Sequence, residues 1–172
     1  MWKLMGSVII IGACSSVGLW MASELHRRPK ILAQLQSSLS GLATEISYGA
    51  IPLPQAMEQA GRISGAPADL LFQGMAYRLR QNQGSSAQEI WIKCLQDWLP
   101  RTALNKKDGE ELERLALGLG TAPKEDQLRR IEEVKARLAW LEKEAREEGA
   151  RLAKVWSYGG ILTGSAIVLV LW

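Results

Sequence analysis

The sequence predicts an all-α protein, a cytoplasmic bundle of about six helices bracketed by N- and C-terminal transmembrane helices. Three observations carry this. Apolar residues recur at helical spacing through the middle of the chain, and no run alternates convincingly with period two. Pro, Gly and capping residues punctuate that middle into separate helices. Two uncharged runs, 4–23 and 155–172, stand at the ends of the 172-residue chain. Each falls within the roughly 17–25 residues that a helix needs to cross the hydrocarbon core.

The first run, LMGSVIIIGACSSVGLWMAS, carries Gly6, Gly12 and Gly18, and the second holds Gly160 and Gly164 in a G-x-x-x-G. Small residues let membrane helices approach closely, and they are also simply common in membrane helices. Both readings stand. A cleaved leader is the rival for the first run, since Ile11-Gly12-Ala13-Cys14 faintly resembles a lipoprotein cleavage box. Against it, the segment stays apolar through Val17, Leu19, Trp20 and Met21, and only Lys3 supplies a basic flank. Arg27, Arg28 and Lys30 follow the first run, and Arg146, Arg151 and Lys154 precede the second. By the positive-inside rule, residues 30–153 face the cytoplasm and both termini lie on the far side.

Within the middle, Pro29 opens a helix with Ile31, Leu32, Leu35, Leu39, Leu42 and Ile46 on one face, ending at Tyr48-Gly49. Pro54 suits the first turn of a second helix through Met57, Ala60 and Ile63, closed by Ser64-Gly65. Pro67 opens a third with Leu70, Leu71, Met75 and Leu79. Ser86 and Glu89 form a capping box before Ile90, Trp91, Cys94, Leu95 and Trp98, and Pro100 marks that helix's end or last turn. Asp108 and Glu111 repeat the capping arrangement before Leu112, Leu115, Leu117 and Leu119, with Gly118 and Gly120 as the stop. Thr121-Ala122-Pro123 starts the long final helix. Its seam is Ile131, Val134, Leu138, Leu141, Ala145, Leu152 and Val155, and its other face is laced with opposite charges at helical spacing. No Pro interrupts it, so it can run on from water into lipid.

Composition excludes several classes. The net charge is +3 with acidic and basic residues interleaved, without the basic stripe of a nucleic-acid binder. Two cysteines, Cys14 and Cys94, suggest neither a disulfide framework nor a metal site, and the single histidine, His26, rules out His-cluster chemistry. No phosphate loop, G-x-S-x-G or Cys-x-x-Cys occurs, so no enzyme activity and no cofactor are expected. Trp91, Trp98 and Trp140 read as core or bundle-edge packing rather than ligand-stacking residues.

The candidate site is a corner. Tyr48-Gly49-Ala50-Ile51-Pro52-Leu53-Pro54 is a short connection stiffened by two prolines, with more apolar surface than a loop needs for solubility. Either Tyr48, Ile51 and Leu53 cover the end of the bundle, or the corner binds a partner through Glu45, Tyr48, Gly49, Ile51, Pro52 and Leu53. Glu45 lies one turn before a helix end, where the dipole favours a cation. It reads as a solvated carboxylate, an internal salt bridge or an exposed polar contact.

At LATEISYGAIPLPQA, residues 42–56, followed by LGLGTAPKEDQ at 117–127 and an apolar C-terminal helix, the chain resembles the stage III sporulation protein AB family. The resemblance covers essentially the whole chain. It departs from the usual pattern in having Thr121-Ala122-Pro123 where a serine-rich turn is customary. It implies a component of the channel joining mother cell and forespore, in the mother-cell membrane around the forespore. The soluble part is similar to one cytoplasmic module of the type II secretion and type IV pilus platform protein. The implied function is a non-enzymatic scaffold beside a cytoplasmic ATPase, stage III sporulation protein AA, among other membrane components. Only one module is present, so self-association is expected in place of the platform's tandem arrangement. The alternative is a membrane-tethered helical adaptor outside any export machine.

Overall fold

The computed structural model describes residues 26–48, 51–81 and 84–171, the last stretch with side chains as far as Leu152 and helical backbone beyond it. Six α-helices and no strand occur among the described residues. They are α1 (Arg27–Tyr48), α2 (Leu53–Ile63), α3 (Ala68–Gln81), α4 (Ala87–Trp98), α5 (Lys106–Arg114) and α6 (Lys124–Leu171), with a 3-10 turn at Leu99–Arg101 after α4. Residues Arg28–Lys143 form one compact unit, and α6 from Glu144 belongs to a second. Among the described residues no helix is long and apolar enough to cross a membrane. The expected span 4–23 lies outside the described residues, and of 155–172 only backbone as far as Leu171 lies within them.

The core follows the predicted seams. On α1, Leu32, Leu35, Leu39 and Leu42 are fully buried, at the spacing that puts them on one helical face. Met57 and Ala60 of α2, Leu71, Phe72 and Met75 of α3, Trp91 and Leu95 of α4, and Ile131, Val134, Leu138 and Leu141 of α6 are buried with them. The Phe72 and Trp91 rings pack edge to face, 5.7 Å between centroids. The Trp91 indole N–H donates to the Leu112 carbonyl at 2.8 Å, so the largest core side chain also satisfies a carbonyl at the end of α5.

α1 and α2 are held closely. A Cβ on Gly41 would stand 2.2 Å from Ile63 Cδ1 and 3.5 Å from the Ala60 Cα, so a larger residue there would have to displace the Ile63 side chain. Beside it the buried Ser38 hydroxyl donates to Ser64 Oγ at 2.6 Å, and Ser64 Oγ donates on to the Gly61 carbonyl at 3.4 Å.

Four expectations are corrected. α5 starts earlier than predicted, because Asn105 is its cap: Asn105 Oδ1 accepts from Asp108 N–H at 3.0 Å, and Asp108 Oδ2 accepts from Asn105 N–H at 2.9 Å. The same helix stops at Arg114, and 115–120 is a turn in which Gly118 and Gly120 take φ of 80° and 76°. Leu115 and Leu119 reach the core from that turn, whereas Leu117 points out. Ile63, Leu70, Leu152 and Trp140 are exposed rather than buried. The Ser86 cap does form, its hydroxyl accepting from Glu89 N–H at 3.2 Å.

Candidate functional site

The corner between α1 and α2 is one wall of a cleft of about 270 Å³. Glu45 and Ile46, in the last turn of α1, line it together with Ile51 and with Leu53 at the start of α2, over the buried Ala56. Glu45, Ile46, Ile51 and Leu53 are all half-buried. α2 begins there because Pro52 is extended (φ −61°, ψ 148°) and its carbonyl accepts from Gln55 and Ala56 N–H at 2.9 and 3.1 Å. Pro54 then loses no helical bond, since a first-turn N–H has no intrahelical partner.

The opposite wall comes from some seventy residues later in the chain: Gly120, Lys124 and Gln127. The two walls touch where a Cβ on Gly120 would lie 3.2 Å from Leu53 Cδ2, and the positive φ of Gly120 bends the turn into that approach. Lys124, the first residue of α6, donates its ammonium to the Ser47 carbonyl, at the end of α1. A cation thus meets an open carbonyl at a helix C-terminus, as the dipole favours. Gln127 is fixed by donating its amide to the Ala122 carbonyl at 2.7 Å.

Glu45 makes no hydrogen bond or ion pair among the described residues. The internal salt bridge expected as one reading of it is therefore not formed there. The cation suited to this helix end goes to the backbone through Lys124 instead. Of the other predicted residues, Ile51 and Leu53 line the cleft, Pro52 caps α2 from the exposed side, and Tyr48 stands 85% exposed at the rim. Gly49 lies outside the described residues. Sequence reasoning about the corner alone missed Gly120, Lys124 and Gln127. Their signal was nonetheless present, because they fall in the second of the two motifs that carried the resemblance.

The cleft presents one half-buried carboxylate, aliphatic walls and an ammonium already committed to a carbonyl. That set suits recognition of a side chain; it holds no nucleophile beside a base. Among the described residues no group of three or more His, Cys, Asp or Glu could hold a metal ion.

A family model described as stage III sporulation protein AB matches residues 3–172. The chain belongs to this family. It is 30% identical over 172 residues to stage III sporulation protein AB of Bacillus subtilis (strain 168), covering 99% of each chain. Its fold is similar to a solved structure of stage III sporulation protein AB, with a TM-score of 0.67 and 27% identity over 72% of this chain and 97% of that one. Family membership ties the protein to sporulation. Both walls of the cleft come from the stretches, 42–56 and 117–127, in which the family resemblance was read.

Proposed function

We propose that this protein is a non-enzymatic membrane scaffold of the mother cell–forespore channel, and that its helical body docks a cytoplasmic secretion-type ATPase of the stage III sporulation protein AA kind. The runs 4–23 and 155–172 anchor it in the mother-cell membrane, and the Lys and Arg residues flanking them keep the body in the cytoplasm. The corner cleft is the docking point. The observation that supports this reading is the meeting of residues 45–56 and 120–127 on one open cleft, with an apolar lining and an unpaired carboxylate. The corner's proline-restricted backbone loses little entropy on binding.

The test is capture of the ATPase by the full-length protein in membranes. Leu53→Ser and Glu45→Ala are expected to weaken capture at least tenfold while the melting temperature stays within a few degrees of the parent. Loss of capture in step with a lowered melting temperature would instead make the corner part of the core, with the interface elsewhere.

A further inference from the structure

A second groove, between α3 and α4, is independent of the corner cleft. Its floor is Leu70, Gly74, Cys94 and Trp98, and its volume is about 260 Å³. That lies below the roughly 300–1,000 Å³ of small-molecule pockets and matches the scale of a single large side chain.

Gly74 is the informative residue. A glycine in a helix interior weakens the helix relative to alanine. Gly41, Gly61 and Gly109 have an internal reason: a Cβ there would lie 2.2, 3.2 and 2.7 Å from a neighbouring side chain. Gly74 has no such reason, because a Cβ there would meet nothing within 4 Å. The space above it is open, and Leu70, one turn earlier, is 58% exposed.

The rim tells what chemistry fits. Asp97 accepts from Arg78 Nη2 through Oδ2 at 2.6 Å, and its carboxylate is 59% exposed, which leaves Oδ1 able to accept. Arg101 is exposed and makes no ion pair among the described residues. An apolar floor, an acceptor and a guanidinium together complement an indole, which has a large apolar body, one N–H donor and a face that attracts cations. The groove's own Trp98 is not available, for it is buried and donates its N–H to the Pro67 carbonyl at 2.8 Å.

The same compact unit carries an indole with nowhere to go. Of the tryptophans with described side chains, Trp91 and Trp98 are buried and Trp140 is 59% exposed. Ala136, one turn earlier on α6, is also exposed and small, so it leaves that side of the ring open. Leu70 and Trp140 are both exposed, so the ring does not fill the groove of its own molecule. We infer that Trp140 of one copy seats over Gly74 in the α3–α4 groove of a second copy, its face toward Arg101 and its N–H toward Asp97. Ring and groove are different patches, so the contact either closes reciprocally into a two-fold pair or repeats head-to-tail along a row of copies.

The test uses two differently tagged full-length copies, co-expressed in a non-sporulating host so that no other channel component can bridge them, and captured from mild detergent through one tag. Wild-type copies are expected to co-purify. Trp140→Ala in both copies, or Gly74→Leu in both, is expected to reduce co-purification at least tenfold. A mixture of Trp140→Ala with Gly74→Leu is expected to restore it, because one intact groove and one intact ring remain. Gly74→Leu should not lower the melting temperature; Arg101→Glu repeats the groove arm from the exposed rim without altering a helix interior. Failure of the wild-type copies to co-purify, wild-type levels in either homogeneous variant pair, or no recovery in the mixture would each overturn the inference.

Discussion

Arg28 and Asp108 form a two-pronged ion pair across eighty residues of chain, Nε to Oδ2 at 2.8 Å and Nη2 to Oδ1 at 2.9 Å. The Asp108 side chain is fully buried, and its Oδ2 also accepts from Asn105 N–H. One carboxylate thus ties the start of α1 to the start of α5 and closes the α5 capping box. Removing Arg28 leaves the fully buried Asp108 carboxylate without its two-pronged counter-charge in a low-dielectric setting. Arg28→Met is therefore expected to cost about 3–5 kcal/mol in urea unfolding. Arg28→Met with Asp108→Leu should cost clearly less than the sum of the single changes. Additive single and double effects would mean that the pair acts as two independent contacts.

Gly118 and Gly120 share a left-handed backbone but differ in what they face. Alanine at either is expected to cost about 1–2 kcal/mol, the steric penalty of that conformation. Only at Gly120 does the new Cβ press on Leu53 across the cleft, at 3.2 Å; at Gly118 it meets Ala122 Cβ at 2.9 Å. Gly120→Ala should lower ATPase capture per folded molecule, and Gly118→Ala should not. Equal capture by the two variants would remove the cleft from the interface.

Glu58 joins α2 to α3 at the surface. Its carboxylate accepts from Arg80 Nη2 and, at 2.7 Å, from Arg62 Nη2. These bonds, the one from Arg80 foremost, hold it below the ordinary carboxylate range. A group whose folded value is depressed contributes stability above its unfolded value and loses it as pH falls through the folded one. The stability gap between the parent and Glu58→Gln should stay constant from pH 7 to about 5 and close on further acidification, the unfolded value being about 4.3. A gap that widens below pH 5 would reverse the sign and exclude this pair as its source.

Much of this fold was legible because short-range signals decide it. Pro54, the Ser86 hydroxyl and the spacing of Ile131, Val134, Leu138 and Leu141 each act within a turn or two, and each acts as read. The failures come from competition that only the folded chain resolves. Asp108 has the chemistry of a cap, but Asn105 takes that position, and Asp108 closes the box from N3 while also accepting from Arg28. Leu115 and Leu119 look like a helix face, yet two left-handed glycines deliver them from a turn. Leu70 and Trp140 carry core-type side chains on faces that the remaining helices do not reach. At the site, the α1–α2 corner was legible from its prolines and apolar excess. Its partner wall was not, because nothing local in Gly120, Lys124 or Gln127 names residue 45 as a neighbour.

The tight crossing at Gly41, with the Ser38–Ser64 hydrogen bond beside it, has a kinetic meaning. α1 supplies Glu45 and Ile46, α2 supplies Leu53 and Ala56, and the two helices pack closely where Gly41 faces Ala60 and Ile63. A partner docking at this wall as proposed would meet a shape already made. Its observed rate of capture is then expected to rise in direct proportion to partner concentration, without the plateau that a slow opening would impose.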